Sequence, residues 1–174
     1  MRTLSFIQVR ARAGNRRQGW LRAGLLHMPV ALGRTGIAAN KREGDGATPR
    51  GRFRPRKLWW RGDRTPAPAT RLPLQRIRPD LGWCELPSDR RYNNPVRIAD
   101  GSAADRLWRQ DGLYDLLVEI DHNVRPRIAG RGSAVFIHVA RPGLAPTAGC
   151  IALPAPRLRW LIARLGPSTR IVIQ

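Results

Sequence analysis

Apolar and polar residues alternate over residues 4–9, which predicts a half-buried first strand. Residues 20–26 and 28–32 predict two more short strands. Pro29 points to an edge position for the second, because proline has no N–H to give to a ladder. Residues 41–51 are polar and glycine-rich and predict a loop. Residues 53–60 predict a strand that ends in the Trp59-Trp60 pair. Residues 61–73 hold three prolines among polar residues and predict an exposed excursion. Residues 83–96 have no regular period, and 103–108 predict a short helix. Residues 114–120 and 133–139 are apolar runs of strand length and predict buried strands. Over residues 155–165, Leu158, Leu161, Ile162 and Leu165 fall on one helical face, with Gly166 as the expected cap and Pro167 as the stop. Residues 169–173 predict a closing strand. The pattern is mainly β, with short turns, one or two short helices and no internal repeat.

At 174 residues, 42% of them hydrophobic, the chain is expected to form one domain, residues 1–174, with a real core. No run approaches the roughly 20 apolar residues of a membrane-spanning helix, so no membrane span is expected. Residues 1–10 read as a strand and lack the apolar stretch of about 7–15 residues that marks a secretory leader. The net charge of +20 is carried almost wholly by arginine, Lys41 and Lys57 being the only lysines. Such charge suits an anionic partner, and it also suits a genome that favours arginine codons. The basic residues are spread along the chain with no tract longer than Arg16-Arg17 or Arg90-Arg91. There is no recognition-helix pattern and no RNA-binding aromatic signature, so no specific nucleic-acid partner is expected. The two cysteines and three histidines show no ligand-like spacing, and neither metal nor cofactor is expected. No heptad or apolar helix stripe is apparent, and a monomer is expected.

One segment carries chemistry. An apolar run delivers His138 at its end, a loop with Pro142, Gly143 and Pro146 follows, and Gly149-Cys150 leads into another apolar stretch. A thiol with a pKa near 8.5 is mostly protonated at neutral pH, so a nucleophilic cysteine needs a base within reach. His138 is placed to be that base and to meet the Cys150 sulfur near hydrogen-bond range. Gly149 lacks a Cβ and would let a carbonyl approach. The backbone N–H groups of Gly149 and Cys150 would then form an oxyanion hole.

Ile137-His138 followed by Thr147-Ala148-Gly149-Cys150-Ile151 resembles the signature of the YkuD-type L,D-transpeptidases. The run from Lys41 to Phe53, ending in Thr48-Pro49-Arg50-Gly51-Arg52-Phe53, resembles that family's substrate-side loop. Gly82-Trp83-Cys84, Tyr92-Asn93 and the run from Leu107 to Asp115 resemble a compact proteobacterial branch. The resemblance implies a YkuD-like β-sandwich, acting in the periplasm or cell envelope as a cysteine-dependent acyltransferase. Its partners would be peptidoglycan stem peptides, one as donor and one as acceptor, joined by 3-3 or 1-3 cross-links through a Cys150 thioester. Water in place of the acceptor amine would make the same site an L,D-carboxypeptidase. A reading from another class is a non-catalytic basic module that binds peptidoglycan or nucleic acid.

Two positions depart from the family pattern. Ala148 stands where a histidine is usual, and Ala152 where an arginine or asparagine is usual. The spacer from His138 to Thr147 is also short. The substrate pocket must therefore draw polar groups from elsewhere. Arg141, beside His138, and Arg131 are candidates, since guanidinium binds carboxylate in two-pronged fashion. Thr147 and Tyr92 are further candidates for substrate contact. His122 lines the cleft or sits in a turn. Of the six tryptophans, mostly expected in the core, Trp83 is the best cleft candidate. Cys84 is expected to be a buried or cleft-wall thiol.

Overall fold

The computed structural model describes residues 3–98 and 104–174. The chain opens with β1 (Phe6–Arg12), β2 (Asn15–Ala23) and β3 (Leu26–Ala31), followed by the short β4 (Ile37–Ala38), β5 (Thr48–Pro49) and β6 (Gly51–Phe53). Then come β7 (Pro55–Trp60), β8 (Leu74–Arg76), β9 (Leu81–Cys84), β10 (Pro95–Arg97) and β11 (Ala104–Arg106). β12 (Leu116–Ile120), β13 (Phe136–Val139), β14 (Ile151–Leu153), α1 (Ala155–Ile162) and β15 (Arg170–Ile173) complete it.

Ten strands form one sheet in the order β6-β15-β1-β2-β3-β14-β13-β12-β7-β8. The alternation in the first strands works as predicted. Ile7 and Val9, Leu21 and Ala23, Met28 and Val30, and Ile171 and Ile173 are all buried. These inward residues pack in one cluster with Leu58, Val118, Ile137 and Ile151 from the other half of the sheet. The sheet therefore curls until its two halves face each other, as in a sandwich. α1 packs Leu158, Leu161 and Ile162 into this cluster, and Leu165 joins them just past its end. The helix stops at Ala163 rather than at Gly166, whose N–H goes instead to Thr169 Oγ1 at 3.0 Å.

Pro29 pairs with Trp20 on β2, while β3 meets β14 only through Ala31 and Ala152. The proline thus lies beyond the reach of the second neighbour, which is why an inner strand tolerates it. The expectation of a helix over 103–108 fails: residue 103 lies outside the described residues, and 104–106 pair with β9. The irregular stretch 83–96 likewise supplies strands to a three-stranded sheet, β10-β9-β11. That sheet packs Trp83 and Leu81 with Trp59, Leu117 and Phe136 in a second apolar cluster on the other side of β12 and β13. Apolar cover on both faces explains why all five residues of β12 are buried. Its one carboxylate, Glu119, is held by Arg56 and by Trp59 Nε1, the latter at 3.1 Å. No helix among the described residues is long and apolar enough to cross a membrane.

Candidate active site

β13 and β14 run parallel, with His138 beside Ala152, so the histidine and the residue before β14 emerge at neighbouring points of one sheet. His138 and Cys150 both line a cavity of about 400 Å³. The His138 Nδ1 lies 2.8 Å from the Val139 carbonyl. A carbonyl only accepts, so Nδ1 carries the proton and Nε2 keeps the lone pair. Burial pushes the imidazole down to about 4. The Tyr114 ring meets it edge-on at 5.3 Å and closes one side.

The Cys150 thiol donates to Ala134 O at 3.1 Å and accepts from Phe136 N–H at 3.3 Å. Ala134 holds a left-handed backbone conformation, φ 50°, which is costly for a residue with a Cβ. Burial pushes the thiol up to about 12, the Phe136 N–H opposing it only in part. No hydrogen bond joins the Cys150 sulfur to the His138 ring among the described residues. The expected direct contact is replaced by the Ala134 carbonyl, because a neutral thiol is a donor and a buried carbonyl needs one. The resting pair is thus a neutral thiol and a neutral imidazole that share a cavity.

Gly149 also lines the cavity, with φ 144°. Its N–H donates to Thr147 Oγ1 at 3.1 Å, and the Thr147 hydroxyl donates onward to Cys150 O at 2.6 Å. The Gly149 N–H expected at an oxyanion is therefore engaged at rest, and Thr147 acts as the clamp on this turn. A Cβ added at Gly149 would lie 2.8 Å from Ala47 O. Gly149→Ala is expected to cost about 1–3 kcal/mol of stability through strain and close contact, read from a shifted urea midpoint. A displaced turn is also expected to slow turnover on the order of 100-fold.

Of the other expected residues, Arg141 lines the cavity. Arg131 does not: its guanidinium is held by Asn40 Oδ1 outside the cavity. His122 is also absent from the lining, since its Nε2 meets Arg131 O at 3.1 Å and its ring stands edge-on to Phe53. Trp83 is core, not cleft. It packs edge-on against Phe136 and Trp59, and its indole N–H goes to Asn93 Oδ1 at 3.0 Å. Tyr92 is buried one layer back and donates to the Glu43 carboxylate, which Ser133 Oγ also meets at 2.7 Å. Cys84 is a free, buried thiol outside the cavity lining.

Beside the expected Arg141, the wall holds charged residues that the sequence did not reveal. Arg34, Lys41 and Arg109 add positive charge, while Glu43, Glu85 and Asp105 supply negative charge. Burial raises the Asp105 carboxyl, and the Tyr114 hydroxyl donates to it at 2.8 Å, which works the other way. Glu85, at the cavity rim, is raised, first by partial desolvation and then by the charges of Asp105 and Glu43. A cavity with opposed charges on its walls fits a ligand that carries both carboxylates and ammonium groups.

Neither a comparison with curated proteins nor one with solved structures gives a match. The family model of the YkuD L,D-transpeptidase catalytic domain does match, over residues 9–173. That span takes in all of the curled sheet but the start of β1, the helix and the whole Cys150–His138 cavity, and the chain belongs to the YkuD family of L,D-transpeptidase catalytic domains.

Proposed function

We propose that this chain is a peptidoglycan L,D-transpeptidase in which Cys150 is the nucleophile and His138 its base. The observation that carries the proposal is the placement of the Cys150 thiol and an imidazole with its Nε2 unprotonated in one cavity of a YkuD domain. Attack begins when the thiol leaves Ala134 O. Its proton passes to His138, and the sulfur bonds to the carbonyl carbon of the donor stem peptide, before its terminal D-residue. The oxyanion is met by backbone N–H groups of the 149–150 turn, with Gly149 released from Thr147. The C–N bond breaks, the leaving amine takes the proton from His138, and a thioester remains. The amine of a second stem peptide then attacks, loses a proton to His138, and forms the new amide as the thiol is restored.

The two kinds of wall charge support this substrate class. Arg141, Arg34 and Arg109 suit the donor's carboxylates. Glu85 and Asp105 suit the ammonium group of an acceptor, and the raised carboxyl of Glu85 is placed to take its proton. The single domain would act as a monomer in the periplasm or cell envelope, with no cofactor.

Incubation with purified disaccharide-peptides, followed by mass spectrometry, tests the proposal. Cross-linked dimers with loss of one D-residue are expected, and fragmentation separates 3-3 from 1-3 linkage. Shortened monomers alone, even with an amine acceptor added, would reassign the site to carboxypeptidase chemistry. No conversion by folded protein would refute both.

A further inference from the structure

All 12 acidic residues of the chain lie between Glu43 and Asp121. Residues 1–42 and 122–174 hold no aspartate or glutamate and are rich in arginine. The fold places these two end segments together, because β15 pairs with β1, and β1 with β2. Some of this charge lines the catalytic cavity, as Arg34 and Arg141 do, and another part meets on the β15-β1-β2 portion of the sheet.

The register shows which side chains share its outer face. Arg10 stands beside Trp20 and Gln8 beside Arg22, while Phe6 pairs with Arg170. Arg10, Arg22 and Arg170 are exposed, and Trp20 on the same face is 43% exposed. Among the described residues no ion pair engages these three arginines or Arg164. At the end of this face is the β2–β3 turn, Gly24-Leu25. A two-residue turn with Gly24 at φ 62° favours polar residues at its tip. Instead Leu25 is 100% exposed and Leu26 37% exposed. They border a shallow groove shared with Phe6, Trp160, Arg22 and Arg164. The Arg164 guanidinium lies over the Trp160 ring at 4.2 Å.

We propose that this hairpin tip and its arginine face dock on the surface of an anionic lipid bilayer. The charge alone would suit any polyanion. The apolar tip decides between them: a polymer in water gives Leu25 and Leu26 nothing to enter, whereas a bilayer offers acyl chains beneath its phosphates. Tryptophan and arginine beside the tip suit the headgroup layer. The tip also lies at the opposite end of β3 from the loop that carries Arg34 into the catalytic cavity, about 20 Å away by strand rise. Docking would leave that cavity open on the side away from the lipid.

Flotation of the intact chain with phosphatidylcholine vesicles, and with vesicles containing one quarter phosphatidylglycerol, tests this. Binding is expected only to the anionic vesicles, and to weaken as salt rises from 50 to 300 mM. Leu25→Ser touches no packed side chain and is expected to lower vesicle affinity about tenfold while leaving retention on heparin unchanged. Arg22→Gln with Arg164→Gln is expected to lower it about 30-fold. Three results would each overturn the proposal: no binding to anionic vesicles at 50 mM salt, equal binding to neutral vesicles, or a Leu25→Ser protein that binds anionic vesicles as the parent does. The last would identify a general polyanion site.

Discussion

Replacing Cys150 by alanine is expected to leave less than a tenth of the cross-linking activity, and by the chemistry of the site none above background. The sulfur is the atom to which the donor acyl group is bonded, so no neighbouring group can stand in for it. Nucleophile and base act as a unit, and loss of either removes most of what the pair provides. The side chain also packs in the second apolar cluster, with Phe136 and Trp59 as members. Loss of one sulfur there is expected to cost about 1 kcal/mol, too little to unfold the protein. Circular dichroism and a urea titration separate the two effects. Intact-protein mass spectrometry gives a second readout: a carbapenem-type β-lactam should add to the parent and to Cys84→Ala, and fail to add to Cys150→Ala. Residual cross-linking above a tenth in a folded Cys150→Ala protein would sink the assignment.

His138 gives the second large effect. His138→Gln keeps a polar side chain but no base, and kcat/KM is expected to fall by about 10²–10⁴. In the parent, the pH profile should carry the signature of burial. An imidazole held down to about 4 stays neutral, and so competent as a base, throughout the range above it. The acid limb of kcat/KM is therefore expected near pH 4 rather than near 6.5, and His138→Gln should lack it. The same shift bears on stability. Below pH 6.5 the unfolded chain takes up a proton at this residue while the folded chain does not. Stability is thus lost as pH falls from about 6.5 to about 4, where the folded imidazole also protonates. Taken alone, the shift corresponds to about 3 kcal/mol, and urea midpoints at pH 7 and pH 4.5 should show much of it.

The parts of the fold that were legible in the sequence are those where one periodicity decides burial. Ile7 and Val9 alternate because one face of β1 is core, and Leu158, Leu161 and Ile162 recur at helical spacing for the same reason. β9, β10 and β11 were not legible. Strands of three or four residues are too short to show a period, and Ala104-Asp105-Arg106 has no β-branched residue to betray it. Trp83 was misplaced for a related reason. An aromatic residue beside a cysteine looks the same whether it faces a cleft or, as here, the edge of Phe136. In the candidate site, His138 and Cys150 were legible because one short loop joins them. Glu43, Glu85 and Asp105 reach the cavity from three separate segments, and no spacing along the chain announces such a meeting. The thiol's preference for Ala134 O was equally hidden, since it depends on an alanine with φ 50°.

The burial of the Cys150 sulfur has a consequence beyond the timing of attack. Peroxide and related oxidants consume thiolates, not thiols. With burial holding the thiol far above neutral pH, almost no sulfur anion is exposed at pH 7. An unused protein would thus keep its sulfur intact in surroundings that would convert an ordinary surface cysteine to sulfenic acid.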